Sequence, residues 1–150
     1  MAVRMELSRI LIRELNDYQI IELREAAPAE IADAPAADED DTDQRRSFPI
    51  VIGLPEAQAI ERRIKGISVK RPLTHDLMAN VISQLGGTLQ SITITDLTDH
   101  TFFATLDVLK DGQILRIDSR PSDAIALGVA NDVPIYVEEH VLEAAMSEEG

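Results

Sequence analysis

Apolar and polar positions alternate in short runs near the start of the chain and again in its second half, with helical spacing of three and four between them. Ser8 to Leu15 (SRILIREL) and Tyr18 to Arg24 (YQIIELR) read as strands flanking Asn16-Asp17, a dipeptide suited to the positive backbone angles of a tight hairpin. Ser47 to Ile52 (SFPIVI) predicts a short strand, and Pro49, which has no N–H to give to a ladder, puts it at a sheet edge or an irregular position. Pro55 then opens a helix in which Ala57, Ile60 and Ile64 fall at helical spacing, and Gly66 supplies its stop. A second helix is expected from about Thr74 to Leu85. Its stripe of Leu77, Met78, Val81, Ile82 and Leu85 reads as an ordinary core-facing surface, ended by Gly86-Gly87.

A meander follows: LQSITIT, a turn at Asp96 to His100, TFFATLDVL, a Lys110-Asp111-Gly112 turn, and QILRIDS. In its middle strand Phe102, Ala104, Leu106 and Val108 share one face, and Phe103, Thr105 and Asp107 share the other. A helix from Ser122 to about Asn131, a short strand PIYV and a final helix from near Glu138 complete the pattern. Hairpin-linked strands interspersed with helices predict a single α+β domain, a mostly antiparallel or mixed sheet with helices packed on it. Open strand edges make a homodimer the expected assembly.

Charge changes this picture in one segment. The 150-residue chain carries a formal net charge of −13. Eight of its carboxylates, and no cation, fall between Glu25 and Asp43, so the rest carries only about −5. That Ala-, Pro- and acid-rich stretch has Ile31 as its one large apolar side chain and cannot offset the entropy of ordering itself. A disordered acidic insertion over residues 25–46 is the expectation, with an acidic mimic of nucleic acid seated in a basic groove as the alternative. The acid excess also argues against indiscriminate attraction to polynucleotides. With no cysteine, disulfides, thiol nucleophiles and iron–sulfur clusters are excluded. No apolar run reaches the roughly 20 residues needed to span a bilayer, and MAVRMELSRI does not read as a signal peptide. A cytoplasmic protein with no membrane association is expected.

Two helix openings share a pattern. Arg71-Pro72-Leu73-Thr74-His75-Asp76 and Arg120-Pro121-Ser122-Asp123 each run from Arg-Pro through a hydroxyl to an Asp in the first turn. Thr74 and Ser122 are expected N-caps, and the Asp side chains oppose the positive helix end. Arg71 and Arg120 then either pair with their neighbouring carboxylates or, with Ser122 and exposed helix N–H groups, grip a phosphate. Asp118, Asp123 and Glu56, with Asp76 nearby in type, would be hard oxygen ligands for Mg²⁺ or Mn²⁺ if folding gathered them; otherwise they are turn and cap residues. His75, on a helical first turn beside Asp76, is a candidate general base. His100 and His140 lack metal-ligand spacing to another histidine, and GxSxG, GxGxxG and Walker patterns are absent.

The strings RPLTHDL (Arg71 to Leu77), TFFATL (Thr101 to Leu106) and IDSRPSDAIAL (Ile117 to Leu127), with PIVIGLPEAQAI before them and PIYV after, resemble the bifunctional nuclease domain family over roughly Phe48 to Leu142. The resemblance implies a small α+β domain related to plant proteins described as acting on RNA and DNA. The family-typical positions are Glu56, Arg71, His75, Asp76, Asp118, Arg120, Ser122 and Asp123. His100 stands where the family often has Gly, and the acidic insertion departs from the compact family pattern. The expected function is metal-assisted phosphodiester hydrolysis of RNA or DNA. In that scheme Asp118 and Asp123, with Glu56 or Asp76, hold the ion; Arg71 and Arg120 bind phosphate; and His75 moves a proton. The alternative is a non-catalytic module that binds a protein or small anion through the same helix openings, in keeping with an aromatic content of 3%, low for a surface that stacks bases.

Overall fold

The protein is described from a computed structural model, over residues 1–13, 15–27 and 44–148. Among the described residues seven strands and four α-helices follow in the order β1 (Ala2–Leu11), β2 (Gln19–Glu25), β3 (Ser47–Ile52), α1 (Leu54–Lys65), α2 (Thr74–Gln84), β4 (Thr88–Thr98), β5 (Thr101–Lys110), β6 (Gln113–Ser119), α3 (Pro121–Gly128), β7 (Ile135–Glu138) and α4 (Glu139–Glu148). They form one sheet in the order β3-β2-β1-β7-β4-β5-β6. Every adjacent pair is antiparallel except β4 and β7. The late strand β7 is thus the seam that joins the N-terminal hairpin unit to the meander. This is the expected α+β fold with a mixed, mostly antiparallel sheet.

Strand alternation sorts side chains onto two faces. Val3 and Met5 pair with Val137 and Ile135, which register with Ile94 and Ile92, and those with Ala104 and Leu106. This apolar face forms one core with Ala57 and Ile60 of α1, Ala124, Ile125 and Leu127 of α3, and Val141 and Leu142 of α4. The opposite face carries Arg4, Tyr136, Thr93, Asp107 and Arg116, one position out of phase. Asp107 is buried there because Ser91 and Thr93 donate to its Oδ2 (2.8 and 2.6 Å) and Thr105 to its Oδ1 (2.8 Å). Three donated bonds replace the water the carboxylate gives up.

Several sequence expectations need correction. The Asn16-Asp17 turn is part of a longer connection, residues 12–18, which Gln19 holds by donating from Nε2 to the Arg13 and Asn16 carbonyls (2.9 and 3.1 Å). The two ends of the segment expected as an insertion over 25–46 are tied to the sheet. Glu25 ends β2 and receives a backbone bond from Arg46, and Ala26 is buried against β1. Residues 28–43, the bulk of that segment, lie outside the described residues. Pro49 does sit on an edge strand, β3. The second helix is not core-facing: none of its residues is buried, and Leu77, Met78, Val81 and Leu85 are exposed. Only Ala79 and Ile82 pack partly against the core, so the stripe is shared between a shallow contact and a solvent-facing flank. The meander turns are tight two-residue hairpins, with Asp99 and His100 at positive φ and then Asp111 and Gly112. His100 therefore occupies a left-handed position of the kind glycine favours. Among the described residues no helix is long and apolar enough to cross a membrane.

Candidate functional site

Both Arg-Pro openings lie in the helix layer, where α1, α2 and α3 meet. Neither expected hydroxyl cap forms. The residue before α3 is Arg120, with Pro121 and the buried Ser122 already helical, so Ser122 presents no hydroxyl to solvent for gripping a phosphate. At α2 the residue before the helix is Leu73, and Asp76, rather than Thr74, satisfies an end group by accepting from the Leu73 N–H (3.2 Å).

Arg120 is the hub. Its Nε donates to Asp123 Oδ2 (2.9 Å) and its Nη2 to Glu56 Oε1 (2.7 Å), joining the first turns of α1 and α3. The other oxygen of Asp123 meets His75 Nε2 at 2.9 Å. Glu56, Arg120, Asp123 and His75 thus form one continuous network drawn from three helix starts. Burial pushes the Asp123 carboxyl up, but the Arg120 guanidinium and His75 pull it further the other way, leaving it below its ordinary value of 3.8. The same pairing with Asp123 and Glu56 raises Arg120. An ionised Asp123 fixes the hydrogen of His75 on Nε2 and leaves Nδ1 as the acceptor.

Gly53 makes room for this geometry. A Cβ there would lie 2.5 Å from Glu56 Oε2, so the carboxylate folds back over a residue with no side chain.

His75 also lines a cleft of about 450 Å³ between α1 and α2, together with Pro55, Arg62, Arg63, Leu73 and Asp76. Arg63 bonds Asp76 Oδ1 through Nη1 and donates from Nη2 to the Leu127 carbonyl (3.0 Å). Asp76 is therefore an anchor between α1 and α2, and its partner is Arg63 rather than Arg71 three residues before the helix. Arg71 itself is exposed on the connecting loop, as is Lys70, and among the described residues neither they nor the half-buried Arg62 in the last turn of α1 make an ion pair. Sequence reasoning missed this feature, although its signal is plain in the chain: residues 62–71 hold Arg62, Arg63, Lys65, Lys70 and Arg71 with no acid among them. The overall negative charge masks a local basic rim.

The expected Mg²⁺ or Mn²⁺ centre on Asp118, Asp123 and Glu56 does not assemble in this arrangement. Asp118 registers with Thr105 on the sheet face opposite the core, whereas Ile117, one residue earlier, registers with the core residue Leu106. Alternation carries its carboxylate away from the helix layer. Both oxygens of Asp123 are engaged by Arg120 and His75, and Glu56 shares the same guanidinium. Among the described residues no three His, Cys, Asp or Glu side chains converge closely enough to hold an ion.

The comparisons bear on what this network belongs to. Residues 39–149 match the sequence profile of the bifunctional nuclease domain. The chain belongs to that family. The chain is also similar to uncharacterized proteins of Mycobacterium tuberculosis in strains H37Rv and CDC 1551, each 45% identical over 100 residues, 67% of this chain and 59% of the relative. Bifunctional nuclease 1 of Oryza sativa subsp. japonica is 22% identical over 129 residues, covering 84% of this chain and 38% of the rice protein. The chain thus spans well under two thirds of the length of these relatives. The resemblance expected from RPLTHDL and IDSRPSDAIAL is the family found.

Proposed function

We propose that the protein cleaves phosphodiester bonds of RNA or DNA at the His75 end of the α1–α2 cleft. The observation that carries this reading is His75 itself, one ring nitrogen held by the ionised Asp123 and the whole residue lining a cleft rimmed with arginine. A backbone phosphate seated against Arg62, with Lys70 and Arg71 on the adjoining loop, would be held by charge. His75 Nδ1 then accepts the proton of the attacking hydroxyl, from a 2′-OH or from water. A new P–O bond forms as the leaving ester oxygen departs and takes a proton from solvent. Asp123 stabilises the imidazolium, and Arg120 with Glu56 keeps Asp123 in position. No step in this scheme runs through a metal ion, so the Mg²⁺ or Mn²⁺ dependence expected from the sequence is a separate matter for measurement.

The test is purified full chain at catalytic concentration against single-stranded RNA and DNA oligonucleotides, with and without EDTA. Multiple turnovers whose rate falls in both His75→Ala and Asp123→Asn, more steeply in the first, in folded protein, are expected. Equal cleavage by these variants would overturn the assignment. Persistence in EDTA would separate the His75 chemistry from the metal scheme. The non-catalytic reading is favoured by one observation, the pairing of Arg120 with Glu56 and Asp123 rather than with an open anion site. Stoichiometric binding of oligonucleotide or inorganic phosphate without turnover would select it.

A further inference from the structure

The sheet has two edges, and they differ. On β3, Pro49 removes a donor from the ladder. On β6, seven residues run without proline, and all but Ser119 are exposed. Leu115 and Ile117 stand on the core face, registered with the buried Val108 and Leu106, yet remain 42% and 44% exposed because the helix layer stops short of them. The C-terminal end of α2 lies close by, since a Cβ on Gly87 would meet both Val108 and Ile82. On α2 itself Leu77, Met78, Val81 and, just past its end, Leu85 are also exposed.

The other face of β6 carries Arg116 and Asp118, two residues apart and opposite in charge. Among the described residues neither side chain has an ion-pair or hydrogen-bond partner. Arg116 registers with Asp107, but that carboxylate is already engaged by Ser91, Thr93 and Thr105. Asp118 registers with Thr105, which bonds to Asp107. The pair is left for something outside the protomer.

We infer that two copies of this chain join antiparallel through β6, about a two-fold axis at Ile117 that sets Arg116 of each copy against Asp118 of the other. In that register Ile117 meets its own counterpart, Leu115 meets Ser119, and two reciprocal ion pairs form on the polar face. An isologous contact requires this self-complementarity, and a +/− spacing of two residues centred on Ile117 provides it. A stable interface takes about 800 Å² from each partner, of which a seven-residue strand covers only part. The apolar flanks of the two α2 helices, brought toward each other above the joined strands, supply more. A second copy is preferred over a foreign strand because a foreign strand would have to reproduce both charges in the same register.

Sedimentation equilibrium of the full chain tests this. The expected species has twice the 16.5 kDa chain mass. Arg116→Glu and Asp118→Arg each turn two attractions into two repulsions and are expected to weaken the dimer about tenfold or more. The double variant Arg116→Glu/Asp118→Arg restores the pairs in reverse and is expected to return to within about threefold of the original. Circular dichroism of each variant shows whether the fold is retained, and a single-variant loss in an unfolded protein is replaced by Ile117→Lys at the axis. A monomer at about 100 µM overturns the inference, as does a dimer unaffected by the single variants or not recovered in the double.

Discussion

Arg46 and Arg120 each hold a pair of carboxylates, and of the two Arg120 alone stands beside a histidine and a cleft. Arg46 donates from Nε to Glu25 Oε1 (2.7 Å) and from Nη2 to Glu139 Oε2 (3.2 Å), tying the end of β2, the start of β3 and the start of α4. Arg120 does the same for α1 and α3. Yet the Arg46 side chain is 33% exposed and the Arg120 side chain 65%. In the first cluster, among the described residues, neither carboxylate passes on a side-chain hydrogen bond to a titratable ring. In the second, the remaining oxygen of Asp123 continues to His75, which opens on the α1–α2 cleft. The same ion-pair chemistry serves as a clasp where it terminates and as a positioning device where it passes on to a titratable ring.

The largest effect should follow from cutting that continuation. His75→Ala removes the group assigned to proton transfer, and a general base contributes about 10²–10⁴-fold to rate. Turnover on oligonucleotides should fall by that factor, while the urea midpoint, set by a core His75 does not join, stays near its original value. Asp123→Asn keeps the shape but cannot hold the Nε2 hydrogen as a carboxylate does, so a smaller loss of about tenfold to hundredfold is expected. A loss of stability matching the loss of turnover would make the network a clasp like that of Arg46.

Most of the fold was legible because its signals are local. The meander could be read from alternation through TFFATLDVL, and the α1 stop from Gly66, which adopts a left-handed φ of 64°. The Arg120–Asp123 pair could be read for the same reason, being three residues apart at a helix start. What could not be read spans elements. Arg63 finds Asp76 across thirteen positions and Arg120 finds Glu56 across sixty-four. No spacing rule links them until α1, α2 and α3 are packed. The exposed stripe of α2 has a different cause: its periodicity states that one face is apolar, not that anything in the same chain covers it. Asp118 shows how a parity of one residue decides a site, since alternation on β6 sends it to the face away from Asp123.

Arg46 should give the next largest effect, in stability rather than rate. Arg46→Met removes charge-assisted bonds to two carboxylates, and a modest fall of the urea midpoint at pH 7 is expected, tempered by their solvent exposure. The Arg46 hydrogen bonds hold Glu25 and Glu139 below their ordinary value of 4.5. A carboxyl depressed in the folded state stabilises it above the unfolded pKa, and that contribution is lost as pH falls through the folded pKa. The difference between wild type and Arg46→Met should therefore be full near neutrality and shrink once the pH drops below 4.5. A difference independent of pH would mean that Arg46 acts through packing of its aliphatic stem.

The smallest effect belongs to Gly53→Ala. The backbone at Gly53 is extended, with φ −80° and ψ 162°, so alanine is tolerated and little stability is at stake. The added Cβ would instead crowd the Glu56 carboxylate, the far end of a flexible chain that can swing aside. Swinging aside loosens its bond to Arg120 while leaving the Arg120 to Asp123 bond in place. Turnover should fall by no more than about threefold, and Glu56→Gln should give a loss of similar size. Adding Gly53→Ala to Glu56→Gln should then cost nothing more, because both act through one contact. If the two losses multiply instead, Gly53 serves the cleft by a route other than Glu56, and the Arg120 network is coupled to α1 by something besides that carboxylate.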